Sequence, residues 1–279
     1  MERRRFLVQA GGVLAGATAA TDAPSVIAQT ADQEKSAPSR MQSDLHSKLA
    51  TCTRIFAMQG LIGLFGHVSA FDPQSRRVLI TPGRGVDKAT LQGSDMLVMD
   101  LSGKILESRS RPPVEWPIHT ALHAARADAL AVAHLHSPQA TLYGIAKREF
   151  TPVTVQGCLL MDGVPLYTEA GLVTTSERGQ RLAATVGKKP AAFMRGHGIV
   201  VAGKDLERVL YAALVLEDEA MKAAQAATLG EVGTIRADEC RAFSEESEWD
   251  ARARRAWNYY AALESRWNRQ PGTGRVPFA

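Results

Sequence analysis

Two histidines stand one residue apart in Ala131-Val132-Ala133-His134-Leu135-His136-Ser137-Pro138. The apolar run from Ala129 to Leu135 has strand length and is closed by Ser-Pro, and side chains on a strand alternate faces with a period of two. His134 and His136 therefore point the same way. Their Cα atoms lie about 6.6 Å apart, which lets two ring nitrogens converge on one ion at about 2.1 Å. Alone, such a pair reads equally well as two partly buried, hydrogen-bonded histidines. A third histidine follows in Ala191-Ala192-Phe193-Met194-Arg195-Gly196-His197-Gly198, where glycines on both sides permit a tight loop and a close backbone approach. Upstream, Pro112-Pro113-Val114-Glu115-Trp116-Pro117-Ile118-His119 pins an acidic residue just ahead of a helix. Three histidines, an open coordination position and a nearby carboxylate make the layout of a catalytic metal site.

These motifs do not stand alone. Gly66-His67-Val68-Ser69, Leu79-Ile80-Thr81-Pro82-Gly83, Glu115 with His119, His134-Leu135-His136-Ser137-Pro138 and Gly196-His197-Gly198 follow one another in an order that resembles the class II aldolase/adducin family over residues 43 to 230. That family includes fuculose-phosphate aldolase, ribulose-phosphate 4-epimerase and metal-dependent decarboxylases of hydroxylated acids. The resemblance implies one divalent ion per chain on His134, His136 and His197, zinc first, with Mn, Co, Fe and Ni open because imidazole suits several of them. It implies Glu115 as the acid/base, oriented by His119, and a homotetramer. A C-terminal segment would close the site, often a neighbour's, which brings in Trp257, Tyr259 and Tyr260.

Departures from the sugar-phosphate members carry the substrate reading. Where those members have Pro-Ser-Ser-Glu, with serines that help to hold phosphate, this chain has Pro112-Pro113-Val114-Glu115, and their Thr-Pro-Ser-Gly is Thr81-Pro82-Gly83-Arg84-Gly85. A phosphate left without those donors would lose about 1–3 kcal/mol or more. A carboxylate facing the Arg84 guanidinium and the freed backbone N–H groups of the loop fits better. The candidate substrate-binding residues are accordingly His67, Ser69, Gly83 and Arg84, with His67, in place of the family's Asn, donating to a second oxygen. The expected reaction is carbon–carbon bond cleavage in an unphosphorylated hydroxy/oxo or dihydroxy-aromatic carboxylic acid through a metal-stabilised enolate, releasing carbon dioxide. Retro-aldol cleavage is the alternative, and a non-catalytic adducin-like or metal-binding module is the alternative of another class. Three retained histidines and the glutamate speak against the last.

The elements that position these residues follow from pattern. A helix is predicted from Ser43 to Gly60, strands over Val68–Asp72, Arg77–Thr81 and Met96–Asp100, and a helix over Pro117–Arg126 whose Glu115, His119 and His123 fall four apart and share a face. His123 and His46 read as solvated helix positions. A helix from Ser137 to Ala146, strand-like Val153–Val155 and Leu159–Tyr167, and helices over Thr175–Val186, Asp205–Leu229 and Glu245–Arg269 complete the chain. Short hairpin strands mixed with longer ones suggest an α/β three-layer sandwich with a mixed, largely antiparallel central sheet, as the resemblance also implies.

At 279 residues, 45% hydrophobic and 22% charged, the chain has the composition of a globular protein with one large domain. Its net charge of +4 is spread among interleaved acids, so no nucleic-acid stripe is present. Cys52, Cys158 and Cys240 form no C-x-x-C pair and allow at most one bridge. Arg3-Arg4-Arg5-Phe6-Leu7 ahead of a mild apolar run reads as a twin-arginine leader over residues 1–28, which implies export to the periplasm and no membrane anchor after processing. Residues 29–42 read as a linker, 43–235 as the aldolase-like domain and 236–279 as a helical extension. The partner expected is a small carboxylic acid.

Overall fold

The computed structural model describes residues 40–267 except Arg84 and Arg109, so the leader and most of the linker lie outside the described residues. Helix α1 (Arg40–Met58) leads into the hairpin β1 (His67–Asp72) and β2 (Arg77–Ile80), followed by β3 (Leu97–Met99), β4 (Ile105–Glu107), α2 (Trp116–Ala125), β5 (Ala131–Leu135) and α3 (Ala140–Ala146). Then come β6 (Leu166–Tyr167), α4 (Ser176–Val186), β7 (Ala191–Met194), β8 (Gly198–Gly203), α5 (Leu206–Ala226), α6 (Ala237–Glu246) and α7 (Trp249–Trp267). The strands form one eight-stranded sheet in the order β4-β3-β2-β1-β5-β8-β7-β6. All neighbours are antiparallel except β6 and β7.

Period-two alternation divides the core. Ala131, Ala133 and Leu135 of β5, with Ile199 and Val201 of β8, pack against α1, α3 and α5. Val132, Val200 and Ala202 face the opposite way, onto Ile118 and Leu122 of α2 and Leu182 and Val186 of α4. The sheet is thus covered on both faces, the three-layer α/β sandwich expected. On β1, Val68 and Ala70 join the first face, which leaves His67 and Ser69 on the second, facing α2.

Thr175 caps α4 by accepting from Arg178 N at 3.3 Å, and Asp205 caps α5 by accepting from Arg208 N at 2.8 Å. Two expectations fail. Of the two stretches predicted as strands, Val153–Val155 is not in the sheet and Leu159–Tyr167 begins within a 3₁₀ turn (Gln156–Leu160) and keeps only the two-residue β6. Glu219, buried on α5, accepts from Val153 N at 2.7 Å, so a side chain takes the place of a ladder partner there. The predicted C-terminal helix is two helices, broken at Ser247-Glu248.

Cys158 and Cys240 form a disulfide, the one bridge the cysteine count allowed, and it ties the 3₁₀ turn to α6. Cys52 is free and fully buried, and burial pushes its thiol up, so it is unreactive. A bridge spanning a separation of 82 residues restricts the unfolded chain. Replacing both cysteines by alanine is expected to lower unfolding free energy by about 2–4 kcal/mol, read from denaturant midpoints. Equal stability of the variant and the oxidised parent would show that the bridge does not constrain the chain.

Candidate active site

Three elements bring the histidines together. His134 sits on β5 with His67 as its cross-strand partner on β1 and Val200 on β8. His136 lies just past the end of β5, and the segment after it is held by Glu217, which accepts from Ser137 Oγ at 2.5 Å, Gln139 N at 3.0 Å and Ala140 N at 2.9 Å. His197 stands in the β7–β8 turn, closed by its own N–H on Met194 O at 3.1 Å, with Gly196 at φ +62°. Gly198 is required for the approach: a Cβ there would meet Leu135 O at 2.4 Å.

The ring centroids of His134, His136 and His197 form a near-equilateral triangle of 5.0, 4.8 and 5.1 Å. One ligand atom from each lies within 4.8 Å of the others. His134 Nδ1 donates to Ile199 O at 3.0 Å, which leaves Nε2 as a lone pair. That Nε2, although fully enclosed, has no hydrogen-bond partner, and neither does either ring nitrogen of His197. Unpaired buried nitrogens cost free energy unless something takes their lone pairs. Three imidazoles converging in this way fit a divalent cation. Burial pushes the His134 ring down to about 3 and lowers that of His136, so both are neutral at ordinary pH.

Glu115 stands at the N-terminal end of α2 with its Oε2 3.4 Å from His197 Nε2 and 3.6 Å from His134 Nε2. Its other oxygen accepts from Val173 N at 2.8 Å. Burial raises the carboxyl, but His197, His134 and the Val173 N–H outweigh it and hold Glu115 below the usual range, as a carboxylate.

Several expectations are corrected here. Ser69 does not reach the substrate space: it is fully buried, with His119 Nδ1 at 2.6 Å and His123 Nε2 at 2.8 Å from its hydroxyl. His119 does not orient Glu115, because its second nitrogen faces His67 Nδ1 at 2.6 Å. His123, expected in solvent, is 4% exposed and bonded at both nitrogens. The Gly83 N–H is not free for an anion, since it donates to Arg111 O at 2.9 Å. Trp257 and Tyr260 pack against the core of their own chain, whereas Tyr259 is half exposed. Arg84 lies outside the described residues.

Sequence reasoning missed Lys88. It is 3% exposed and donates to Pro82 O and, at 3.2 Å, to Gly83 O, so it braces the loop where Arg84 was expected to act. Burial pushes its ammonium down to about 8, and its charge reaches His67. A lysine three residues past a glycine-rich loop was the available signal. Val114 and Leu172, the sequence neighbours of Glu115 and Val173, are 49% and 44% exposed, Leu64 and Phe65 are 68% and 55% exposed, and the Phe65 ring lies 5.4 Å from His136.

Residues 47–223 match the family model of the class II aldolase and adducin N-terminal domain. The chain belongs to the class II aldolase and adducin family. It is 29% identical over 182 residues to a 3,4-dihydroxyphthalate decarboxylase of Rhodococcus jostii, across 61% of this chain and 75% of that protein. To an L-fuculose phosphate aldolase of Methanocaldococcus jannaschii it is 26% identical over 171 residues, across 61% of this chain and 89% of that protein. An aldolase II superfamily protein from Pseudomonas syringae superposes with a TM-score of 0.73 at 23% identity, covering 82% and 95% of the two chains, a likeness of fold alone. This member of the family is an enzyme, a lyase, and its relatives include decarboxylases as well as aldolases.

Proposed function

We propose that this class II aldolase homologue is a divalent-metal-dependent decarboxylase of an unphosphorylated, hydroxyl-bearing carboxylic acid, with the dihydroxy-aromatic acids as the substrate class. The observation that carries the reading is Glu115, an ionised carboxylate 3.4 and 3.6 Å from two of the three converging histidines, next to an exposed Val114 where the sugar-phosphate members have a serine. His134, His136 and His197 would hold the ion, zinc first. When bound, it polarises substrate oxygens as a Lewis acid.

Glu115 Oε2 takes the proton of a substrate hydroxyl as the acid binds. Glu115 then gives that proton to the carbon bearing the carboxylate, which turns the deprotonated oxygen into a carbonyl. The bond to the carboxylate carbon breaks, carbon dioxide leaves, and the electron pair flows into the carbonyl to restore the oxyanion. Lys88, together with Arg84, supplies positive charge for a carboxylate, and the exposed Leu64, Phe65 and Val114 suit an apolar ring more than a sugar phosphate. Similarity to a 3,4-dihydroxyphthalate decarboxylase supports the same class.

The test is a screen of dihydroxy-aromatic and hydroxy/oxo acids for carbon dioxide release by the zinc-loaded protein, with fuculose and ribulose phosphates alongside for aldehyde release. Arg84→Met should raise KM for the accepted acid by the equivalent of about 1.5–3 kcal/mol, the range for a charged hydrogen bond. Efficient cleavage of the sugar phosphates, with Arg84→Met indifferent to every acid, overturns the reading.

We also propose export through the twin-arginine leader and a homotetrameric state. A disulfide between Cys158 and Cys240 supports an oxidising compartment. The mature N-terminus is expected between Ala20 and Gln33 outside the cytoplasm, with Arg3→Lys/Arg4→Lys blocking its appearance there. Recovery of the whole population with Met1 intact contradicts this.

A further inference from the structure

Behind the metal-fitting triangle, His67, His119, Ser69 and His123 run in an unbroken line into the protein, ending on the Ala129 carbonyl: His67 Nδ1 to His119 Nε2 at 2.6 Å, His119 Nδ1 to Ser69 Oγ at 2.6 Å, Ser69 Oγ to His123 Nε2 at 2.8 Å, His123 Nδ1 to Ala129 O at 2.5 Å. All four side chains are 6% exposed or less. Two periodicities build the line. His67 and Ser69 alternate on β1, His119 and His123 stack one turn apart on α2, and the sheet face meets the helix face there.

A carbonyl only accepts, so His123 Nδ1 carries its proton. In the neutral ring His123 Nε2 is then bare, and the Ser69 hydroxyl must donate to it. Ser69 has a single proton, so it accepts from His119 Nδ1–H. His119 Nε2 is bare in turn, and His67 Nδ1 must donate to it. The nitrogen left over, His67 Nε2, carries a lone pair. On that side a ring nitrogen of His67, a Glu115 oxygen and a His134 nitrogen gather within 4.8 Å of one another. The opposite tautomer of His67 would need the three bonds between His67 and His123 turned around and, with the Nδ1–H of His123 still held by Ala129 O, a whole charge on His123. That ring faces Ser69, the Ala129 carbonyl and the stacked Phe71 ring at 5.5 Å, none of which can neutralise an imidazolium.

We propose that His119, Ser69 and His123 are positioning residues that lock His67 in its Nδ1–H tautomer, so that His67 Nε2 accepts from a substrate hydroxyl and repels an anionic oxygen. This reverses the donor role expected for His67 from its sequence position. It deepens the proposed function, and its substrate half rests on that reading: the group placed at His67 is a protonated hydroxyl, as a catechol supplies, and not a second carboxylate or a phosphate. Free imidazole would choose its tautomer freely, whereas here one backbone carbonyl decides it three side chains away.

The experiment is nitrogen NMR of protein labelled with ¹⁵N-histidine at neutral pH, with zinc alone added, His67 being assigned by the signals lost in His67→Gln. The expected result is a protonated Nδ1 and a bare Nε2 on His67, His119 and His123. Ser69→Ala should release His119 and His67 into mixed tautomers, and Ser69→Thr, which keeps the hydroxyl, should restore the lock. Catechol should shift the His67 Nε2 signal, while veratrole, with both hydroxyls methylated, should not. A proton on His67 Nε2 in the parent protein, tautomers unmoved by Ser69→Ala, or equal shifts from veratrole overturns the proposal. None of these readouts needs turnover, so a protein that shows the lock but releases no carbon dioxide sinks the decarboxylase reading and leaves the lock standing.

Discussion

Glu115→Gln keeps the fold and the metal content of the parent and lowers kcat by about 10²-fold or more. The amide has the same shape, and its oxygen can still accept from Val173 N, now 2.8 Å from the carboxylate. What it cannot do is take a proton and return it. The resting group is a carboxylate because the Val173 N–H and the His197 and His134 rings outweigh the burial that would protonate it. A carboxylate is the form able to start the reaction by removing a hydroxyl proton. Steady-state kinetics on the accepted acid, with metal content measured on the same samples, give the check. Unchanged turnover with full metal would move the proton transfer to another group, with His67 the next candidate.

His136→Ala is expected to weaken metal affinity by more than about 100-fold, above the 10–100-fold that the loss of an outer hydrogen-bond partner costs. Of the three converging rings, His136 is the one to remove. His134 is fully enclosed in β5 and bonded to Ile199 O, and its loss would disturb the sheet, whereas His136 is half-buried just beyond the strand end. Its truncation should leave the melting temperature of the metal-free protein nearly unchanged while the stabilisation contributed by added zinc disappears. Metal titration by calorimetry separates the two effects. Undiminished affinity in the variant would remove His136 from the ligand set.

Much of the site is legible along the chain. The His-x-His spacing on an apolar run places His134 and His136 on one side of β5, because the period of a strand is fixed by its pleat. The prolines around Glu115 and the glycines around His197 mark the turns that deliver those side chains, and the alternation of short strands with helices is sufficient for a three-layer sandwich. The β5 and β8 core residues divide between two helical layers as their alternation requires.

Pairing across the sheet is a different matter. No local pattern says that β1 lies beside β5, so nothing in the sequence puts His67 opposite His134, nor Ser69 within reach of α2. His123 on an amphipathic helix looks like a surface position until the sheet face brings a hydroxyl and a carbonyl to its two nitrogens. Lys88, read from composition, is one cation among 33 Lys and Arg. Only the folded loop turns its ammonium onto the carbonyls of Pro82 and Gly83. Local periodicity thus determined which residues share a face and which loops carry ligands. Tertiary structure decided which faces meet, and a hydrogen bond, whose range is about 3 Å, exists only once they do.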